Sequence, residues 1–463
     1  MSKAEAEAFL SSFAASIKEA KDAEELTKQL AAAEAFVAIF SHDNEHLLSS
    51  PANKLSPEWL VELRIALRGV IQSKGLALES KSATLSLAAS LLQSFGYSFV
   101  ATDPAFLGLL AQMASVELRM ALHDPRALNG AQLLPLTSIL EMAVVLGNDE
   151  RLPIPDPVAE VLGRALVDVG RLLLDYFSAR GLELRLEVPL ARCLAACLAH
   201  GLADSLGDAD VPVLRKGVAG LLAAGVAGQR SAGGEFEPGD LLLPALTHLP
   251  TSILQDLASP IQLLLLYHLR AKFGEFRKLM REETEEERLD RLAGSIADAC
   301  DGGISCIMRK GEGGKSRKEL VELLEEAWEW PGVLAEREGL ALSVLALNLH
   351  LSIDAERRKA ALQRFVHVLL RVGEHERRWR RVTEERRETA IALLAQVQPE
   401  LQTLPDRSPL AQSIDQTLTR LSMKDDESGD GIPEPFLHFS LSPPRTPEGL
   451  CNVHSRGLPT VTV

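Results

Sequence analysis

Residues 83–123 constrain the fold more than any other stretch, because they read as a helical hairpin too apolar to stand alone. In the first arm Leu85, Leu87, Leu91, Leu92 and Phe95 place apolar side chains around much of a helix. Gly96 stands where a left-handed residue would end it. After a break over 97–102, Asp103-Pro104 gives the cap-plus-first-turn signature of a second helix. On that helix Phe106, Leu109, Leu110, Met113, Val116 and Met120 make one apolar arc, with Leu107, Leu118 and Leu122 beside it. The strip Gln112, Ser115, Arg119, His123 is left for water. Such a hairpin has to be covered on both sides by similar units, which is the logic of an α-solenoid.

The rest of the chain repeats this pattern. Residues 3–40 read as two amphipathic helices with Asp22 as the cap between them, and Ser56-Pro57 opens a helix over 57–73 that buries Trp59, Leu60, Leu63 and Leu67. Asp156-Pro157, Val188-Pro189 and Val211-Pro212 open further helices, and several end at glycine. This punctuation predicts about 17 helices, in pairs recurring at about 40 residues, the span of armadillo or HEAT-like units. The expected fold is therefore all-α: an armadillo/HEAT-like α-solenoid, a right-handed superhelix of helix pairs. Solenoid parts are expected over 1–227 and 241–422, separated by a Gly-rich flexible loop over 228–240. A second flexible loop is expected over 302–316, followed by helices 318–330, 332–351, 354–372, 377–398 and 408–423. Residues 423–463, with Pro433, Pro435, Pro443, Pro444 and Pro447 and no helical period, read as a disordered tail.

Charge and composition narrow the function class. Across 463 residues the net charge is -15, which argues against nucleic acid as a general ligand because phosphates require a basic field. Aromatic residues make up 5% of the chain, a balance that suits stacked helices packed through aliphatic side chains. The five cysteines (Cys193, Cys197, Cys300, Cys306, Cys451) are irregularly spaced and suit free thiols in a reducing compartment. The acidic start Met-Ser-Lys-Ala-Glu-Ala-Glu lacks the features of a signal peptide, and the run 261–267 is far short of the ~20 apolar residues that span a bilayer. The expectation is a monomer without an integral membrane segment, in the cytosol by default with the nucleus as the alternative.

The hairpin and its neighbours also carry a family resemblance. The 83–96 helix, followed by Ala105-Phe-Leu-Gly-Leu-Leu and by Ala114-Ser-Val-Glu-Leu-Arg-Met-Ala-Leu122, is similar to a stretch of neurochondrin, where a Leu/Ala helix precedes a Val-Glu-Val-Arg-type helix. The similarity extends upstream through Lys18-Glu-Ala-Lys-Asp-Ala-Glu-Glu and 59–69, and more faintly downstream to about residue 225. The resemblance implies an armadillo-type cytosolic adaptor without catalytic activity, in a family linked to neurite outgrowth and to kinase and receptor regulation. This chain is shorter than the animal members and is expected to correspond to the later part of their repeat array. From Gly228 onward nothing in it resembles the family.

Several motifs invite chemistry. His42-Asp-Asn-Glu45-His46 has the H-x-x-E-H spacing of an inverted zincin, against a solvated helix end running into a Ser/Pro loop. Cys193, Cys197 and His200 fall at i, i+4, i+7 and offer a metal face, but Leu190, Leu194 and Leu198 favour plain burial. Gly311-Glu-Gly-Gly-Lys-Ser316 lacks the first glycine of a phosphate loop, since Arg309 occupies that place, and reads as a surface loop. The basic run 371–387 with Trp379 is interleaved with Glu374, Glu376, Glu384, Glu385 and Glu388, as a salt-bridged face would be. In the tail, Ser442 and Thr446 each precede proline and are phosphorylation candidates, and Val461-Thr-Val463 is a candidate C-terminal strand for a carboxylate-binding groove.

These readings favour a non-enzymatic adaptor or scaffold of the neurochondrin type, without cofactor or metal, that holds proteins or peptides in its groove and regulates signalling. The groove is expected on helices 105–122 and 156–177, with Gln112, Glu117, Arg119, Arg164 and Arg171 as partner-binding residues. Glu117 falls inside the apolar arc, so it needs either an ion pair, for which Arg64 is the candidate, or an open groove. The alternative is a transport or co-chaperone-like carrier. An importin-type carrier would show a Trp/Asn ladder, which Trp59, Trp328, Trp330 and Trp379 are too unevenly placed to form.

Overall fold

A computed structural model describes residues 3–43, 58–73, 77–123, 130–180, 188–231, 238–281, 286–307, 314–328 and 337–373, together with 386, 390, 392 and 393. Among these there are eighteen α-helices, one 3-10 turn and no strand. In chain order the first are α1 (Lys3–Glu19), α2 (Ala23–Asp43), α3 (Glu58–Gln72), α4 (Leu78–Phe95), the single turn α5 (Tyr97–Val100), α6 (Pro104–His123) and α7 (Gly130–Gly147). Next come α8 (Asp156–Arg180), α9 (Val188–Ala199), the single turn α10 (Leu202–Ser205), α11 (Val211–Ser231), α12 (Pro238–Leu246) and α13 (Thr251–Asp256). The series ends with α14 (Ala258–Arg281), α15 (Glu286–Cys306), α16 (Lys315–Trp328), α17 (Glu338–Leu351) and α18 (Ala355–Gly373).

These helices pack as two layers. One layer runs α1, α3, α6, α8, α11, α14, α16, with α5 joining α3 to α6. The other runs α2, α4, α7, α9, α12, α15, α17, and α18 lies on α17. Each first-layer helix also packs on the second-layer helix that follows it, so the described chain is a helical-repeat solenoid of seven helix pairs. The first helices begin at Lys3, Glu58, Pro104, Asp156, Val211, Ala258 and Lys315, a repeat nearer about 50 residues than the expected 40. The difference has two sources: long helices such as α8, and the connectors α5, α10 and α13, which Gly/Pro punctuation counts as separate elements.

Local chemistry fixes the helix ends. The Asp22 carboxylate accepts from the Glu25 backbone N–H (2.8 Å), and the Glu25 carboxylate accepts from that of Lys21 (3.0 Å), a reciprocal cap on α2. Asp354 caps α18 by accepting from Glu356 (3.1 Å) and Arg357 (3.0 Å). Gly96 ends α4 at φ +46°, donating to the Leu92 carbonyl (2.9 Å). The expected break after it contains the turn α5, and Asp103 gives its carboxylate to Arg68.

Both glycine-rich stretches are more helical than expected. Gly228 to Ser231 continue α11, and Pro238 to Asp240 open α12. Likewise Gly302 to Cys306 complete α15, where Gly303 faces Leu265. The helix expected from 332 begins at Glu338. At Gly239 and Gly303 the sequence reading treats glycine as a breaker where it serves as a small residue at a helix contact, against His268 and Leu265. The clearest case is the α8–α11 crossing, where a Cβ on Gly220 would lie 2.1 Å from the Phe177 carbonyl oxygen and one on Gly217 would lie 2.7 Å from that of Leu174. Gly220→Ala is therefore expected to lower stability by about 1–3 kcal/mol through overpacking. Gly163→Ala, on the same α8 but with nothing within 4 Å, is expected to be neutral or to stabilise by about 0.5–1 kcal/mol. Paired thermal melts check both.

Among the described residues one helix, α6, is long and apolar enough to cross a membrane by length and composition alone, which the length of the 261–267 run did not reveal. In the fold it packs on α7 and α8, half of it is buried, and its ionisable Glu117 and Arg119 meet partners. It is a core helix of the solenoid rather than a clear span.

Candidate functional site

A groove of about 520 Å³ lies between α6 and α8, neighbours in the first layer. Its α6 wall carries Leu109, Gln112, Met113, Val116 and Arg119. The α8 wall carries Val161, Arg164, Ala165 and Asp168, and Lys81 enters from α4. The single apolar arc expected on α6 is thus divided. Phe106 and Leu110 enter the core, whereas Val116 and Met120 are 56% and 61% exposed, and Ser115, expected in water, is buried. A solenoid helix touches neighbours on more than one side, so the sectors of a helical wheel do not sort into one inner and one outer face.

The groove's charges are mostly paired. Glu117 binds Lys81 at close range, so Lys81 is its partner and not Arg64. Arg64 points the other way, buried, and donates to the Phe99 carbonyl (3.1 Å), and this burial lowers its pKa. Arg119 lies 3.9 Å from Asp168 across the groove, and Arg164 pairs with Glu160 one turn away on α8 (3.1 Å). Both pairs are exposed. Arg171 does not line the groove; its guanidinium is held by Asp210 at 2.7 Å. Of the five residues expected to bind partners, Gln112, Arg119 and Arg164 share the groove walls, Glu117 braces Lys81, and Arg171 stands apart.

A second cavity, of about 310 Å³, is lined by Asp240, His268, Arg291, Ser295 and Asp298 among others. Asp240, on α12, accepts from Lys272 (2.8 Å) on α14 and from Ser295 (3.0 Å) on α15, and lies 3.4 Å from the Nε2 of fully buried His268. Burial alone would raise the Asp240 pKa, but His268 and Lys272 overcome that and hold it well below the usual carboxylate range. The cluster has the ingredients of a catalytic triad in the wrong order. A carboxylate at the centre, bonded to serine, histidine and lysine together, orients helices but activates no nucleophile.

The remaining candidates separate in the same way. Cys193 and Cys197 are buried while His200 is exposed, so the three share no metal face. Among the described residues no group of three or more His, Cys, Asp or Glu is placed to hold a metal ion. A hydrogen bond with Cys197, together with burial, pushes the Cys193 thiol well above its ordinary pKa, and burial pushes Cys306 up to about 12, so both behave as inert core residues. Trp59 packs edge-on against Phe95 in the core, with ring centroids 5.2 Å apart, and is no groove rung. The side chains of His42 and Arg371, Glu45 and His46, Gly311 to Gly313, the basic run from 374 onward apart from Arg386, Trp330 and Trp379, Ser442, Thr446 and Val461 to Val463 lie outside the described residues.

Sequence reasoning missed Lys81 and Asp168 in the groove, and all of the Asp240 cluster. His268 and Lys272, four apart on the face of α14 that carries Ile261, Leu265 and Phe276, were the readable sign of a buried polar node.

Comparison with curated proteins and with solved structures gives no match. Residues 2–152 match the family model Neurochondrin. The match takes in α1 to α7, hence Lys81, Gln112, Glu117 and Arg119, and stops before α8, whereas the sequence resemblance extends faintly to about residue 225. On that match, the amino-terminal helical repeats of this chain, α1 to α7, are similar to the neurochondrin family.

Proposed function

We propose that the chain is a non-enzymatic cytosolic adaptor that binds protein partners in the α6–α8 groove. The observation carrying this reading is the groove-lining apolar stripe Leu109, Met113 and Val116, the last of them 56% exposed, beside two weakly engaged guanidiniums, those of Arg119 and Arg164. Large apolar side chains left in water on a helix that otherwise packs on both sides are the usual mark of a binding face. The family match and the carboxylate-centred order of the Asp240 cluster support an adaptor over an enzyme. Buried free thiols at Cys193, Cys197, Cys300 and Cys306 fit a reducing compartment.

The test is quantitative affinity purification from cytosol with the wild type, Arg119→Glu/Arg164→Glu, and Arg171→Glu as a control outside the groove. Partners of the wild type are expected to persist with the control and to fall about tenfold with the groove variant. Equal recovery by all three proteins would place the binding surface elsewhere.

A further inference from the structure

We propose that the occupant of the groove is an amphipathic helix of another protein, with an apolar stripe flanked by carboxylates; this rests on the groove reading above. Leu109, Met113, Val116 and Met120 follow one another at i, i+4, i+7 and i+11 on α6; the first three line the groove, and exposed Met120 continues the same helix face one turn beyond its lining. That spacing makes a stripe roughly 16 Å long, which accepts about three turns of a partner helix presenting the same spacing. Two of the four are methionines, whose flexible thioethers adapt to differing apolar anchors.

Charge decides what flanks the anchors. The residues lining the groove include three cations, Lys81, Arg119 and Arg164, against one carboxylate, Asp168, in a chain whose net charge is -15. Lys81 is committed to Glu117, with both side chains largely shielded from water. Arg119 and Arg164 are not committed. Each is more than half exposed, and its pair is of the kind worth about 0–1 kcal/mol, so it can turn to an incoming carboxylate at little cost. They stand on opposite walls, one on α6 and one on α8, so a helix lying between them would meet positive charge on both flanks.

The probes are two fluorescein-labelled, end-blocked peptides of about 16 residues. Both carry leucine at i, i+4, i+7 and i+11; one is flanked by glutamate and the other by lysine. Each is titrated by anisotropy against the full chain. The glutamate peptide is expected to bind at least about tenfold tighter, and Arg119→Glu/Arg164→Glu is expected to reverse that order. Val116→Asp, at an exposed groove-lining site and so with an unchanged circular-dichroism melt, is expected to lower binding of the glutamate peptide about tenfold or more.

If the lysine peptide binds the wild type as well or better, or neither peptide binds, the acidic-helix inference is overturned. The groove reading survives that result where Val116→Asp still abolishes lysine-peptide binding. It fails as well if Val116→Asp leaves glutamate-peptide binding unchanged. Two other occupants would also overturn the inference. A tenfold gain in affinity on changing Asp425, Asp426 and Glu427 together to serine would show the chain's own acidic segment in the groove. A wild-type dimer in sedimentation velocity that Val116→Asp dissolves would show a second copy there.

Discussion

Replacing Arg317 with alanine is expected to destabilise the carboxy-terminal helix pair by about 3–5 kcal/mol, with loss of hydrogen-exchange protection across α16 and α17. Arg317 lies at the start of α16 and is only 2% exposed. Its Nε donates to the carbonyl of Leu351 (2.9 Å) and its Nη2 lies 3.5 Å from that of His350, so its guanidinium closes the end of α17. From the other side Arg358 of α18 donates to the carbonyls of Leu349 (3.2 Å) and Ser352 (3.3 Å). Two cations thus sit on the negative end of one helix dipole, where the last carbonyls have no partner within the helix. Burial lowers the Arg317 pKa, so the carbonyl contacts offset a desolvation cost that a solvated arginine would not bear. Alanine removes the donors, leaves buried carbonyls without them and opens a void. Lysine restores the charge but not the fork, and Arg317→Lys is expected to recover about half of the loss. A full recovery by lysine in thermal melts would show that charge alone matters here.

The contrast between Arg317 and the helix caps shows what a sequence of this kind discloses. Asp22 and Asp354 act on backbone two or three residues away, so their roles stand in the local pattern and were readable. Arg317 acts on a carbonyl 34 residues away, which no local period announces. The α6 hairpin was legible as a unit because apolar density is a local property. Its division into a buried and an exposed arc was not, because α7 and α8 decide which sector is covered. Glu117 marks the boundary. Its need for a cation followed from its place in the pattern, but the choice of Lys81 over Arg64 depended on how α4 and α3 sit beside α6. Gln112, Arg119 and Arg164 could be assigned to one face from helical spacing, yet Asp168 completes that face and drew no notice, because an exposed aspartate on an amphipathic helix is unremarkable by itself. The Asp240 cluster was hidden more thoroughly, since Gly239 and Asp240 read as the end of a loop.

That cluster bears the other large effect. A Cβ at position 239 would fall 2.3 Å from the Cγ of His268, so the glycine lets the imidazole lie against the α12 backbone while Asp240, one residue on, reaches Lys272. Asp240→Ala leaves Lys272, only 8% exposed, without this carboxylate and releases the Ser295 hydroxyl. Breaking a fully buried pair costs about 3–5 kcal/mol; with Asp240 itself 47% exposed, about 2–4 kcal/mol is expected. Lys272→Met added to Asp240→Leu removes both charges, and that double variant is expected to be markedly more stable than Asp240→Ala.

The pH dependence has a definite sign. The folded-state pKa of Asp240 is depressed below the unfolded value of about 3.9, so its contribution is complete above about pH 5 and is lost as pH falls through the folded value. Asp240→Asn carries no such proton. The gap in melting temperature between wild type and Asp240→Asn is therefore expected to be widest at neutral pH and to shrink as pH falls below about 4. A gap that stays constant down to the acid transition would mean that the carboxylate is held by hydrogen-bond shape, which asparagine partly mimics, and not by its charge. Because α12, α14 and α15 meet at this residue, loss of the charge would loosen three helices together, and exchange protection should fall in all of them at the same pH.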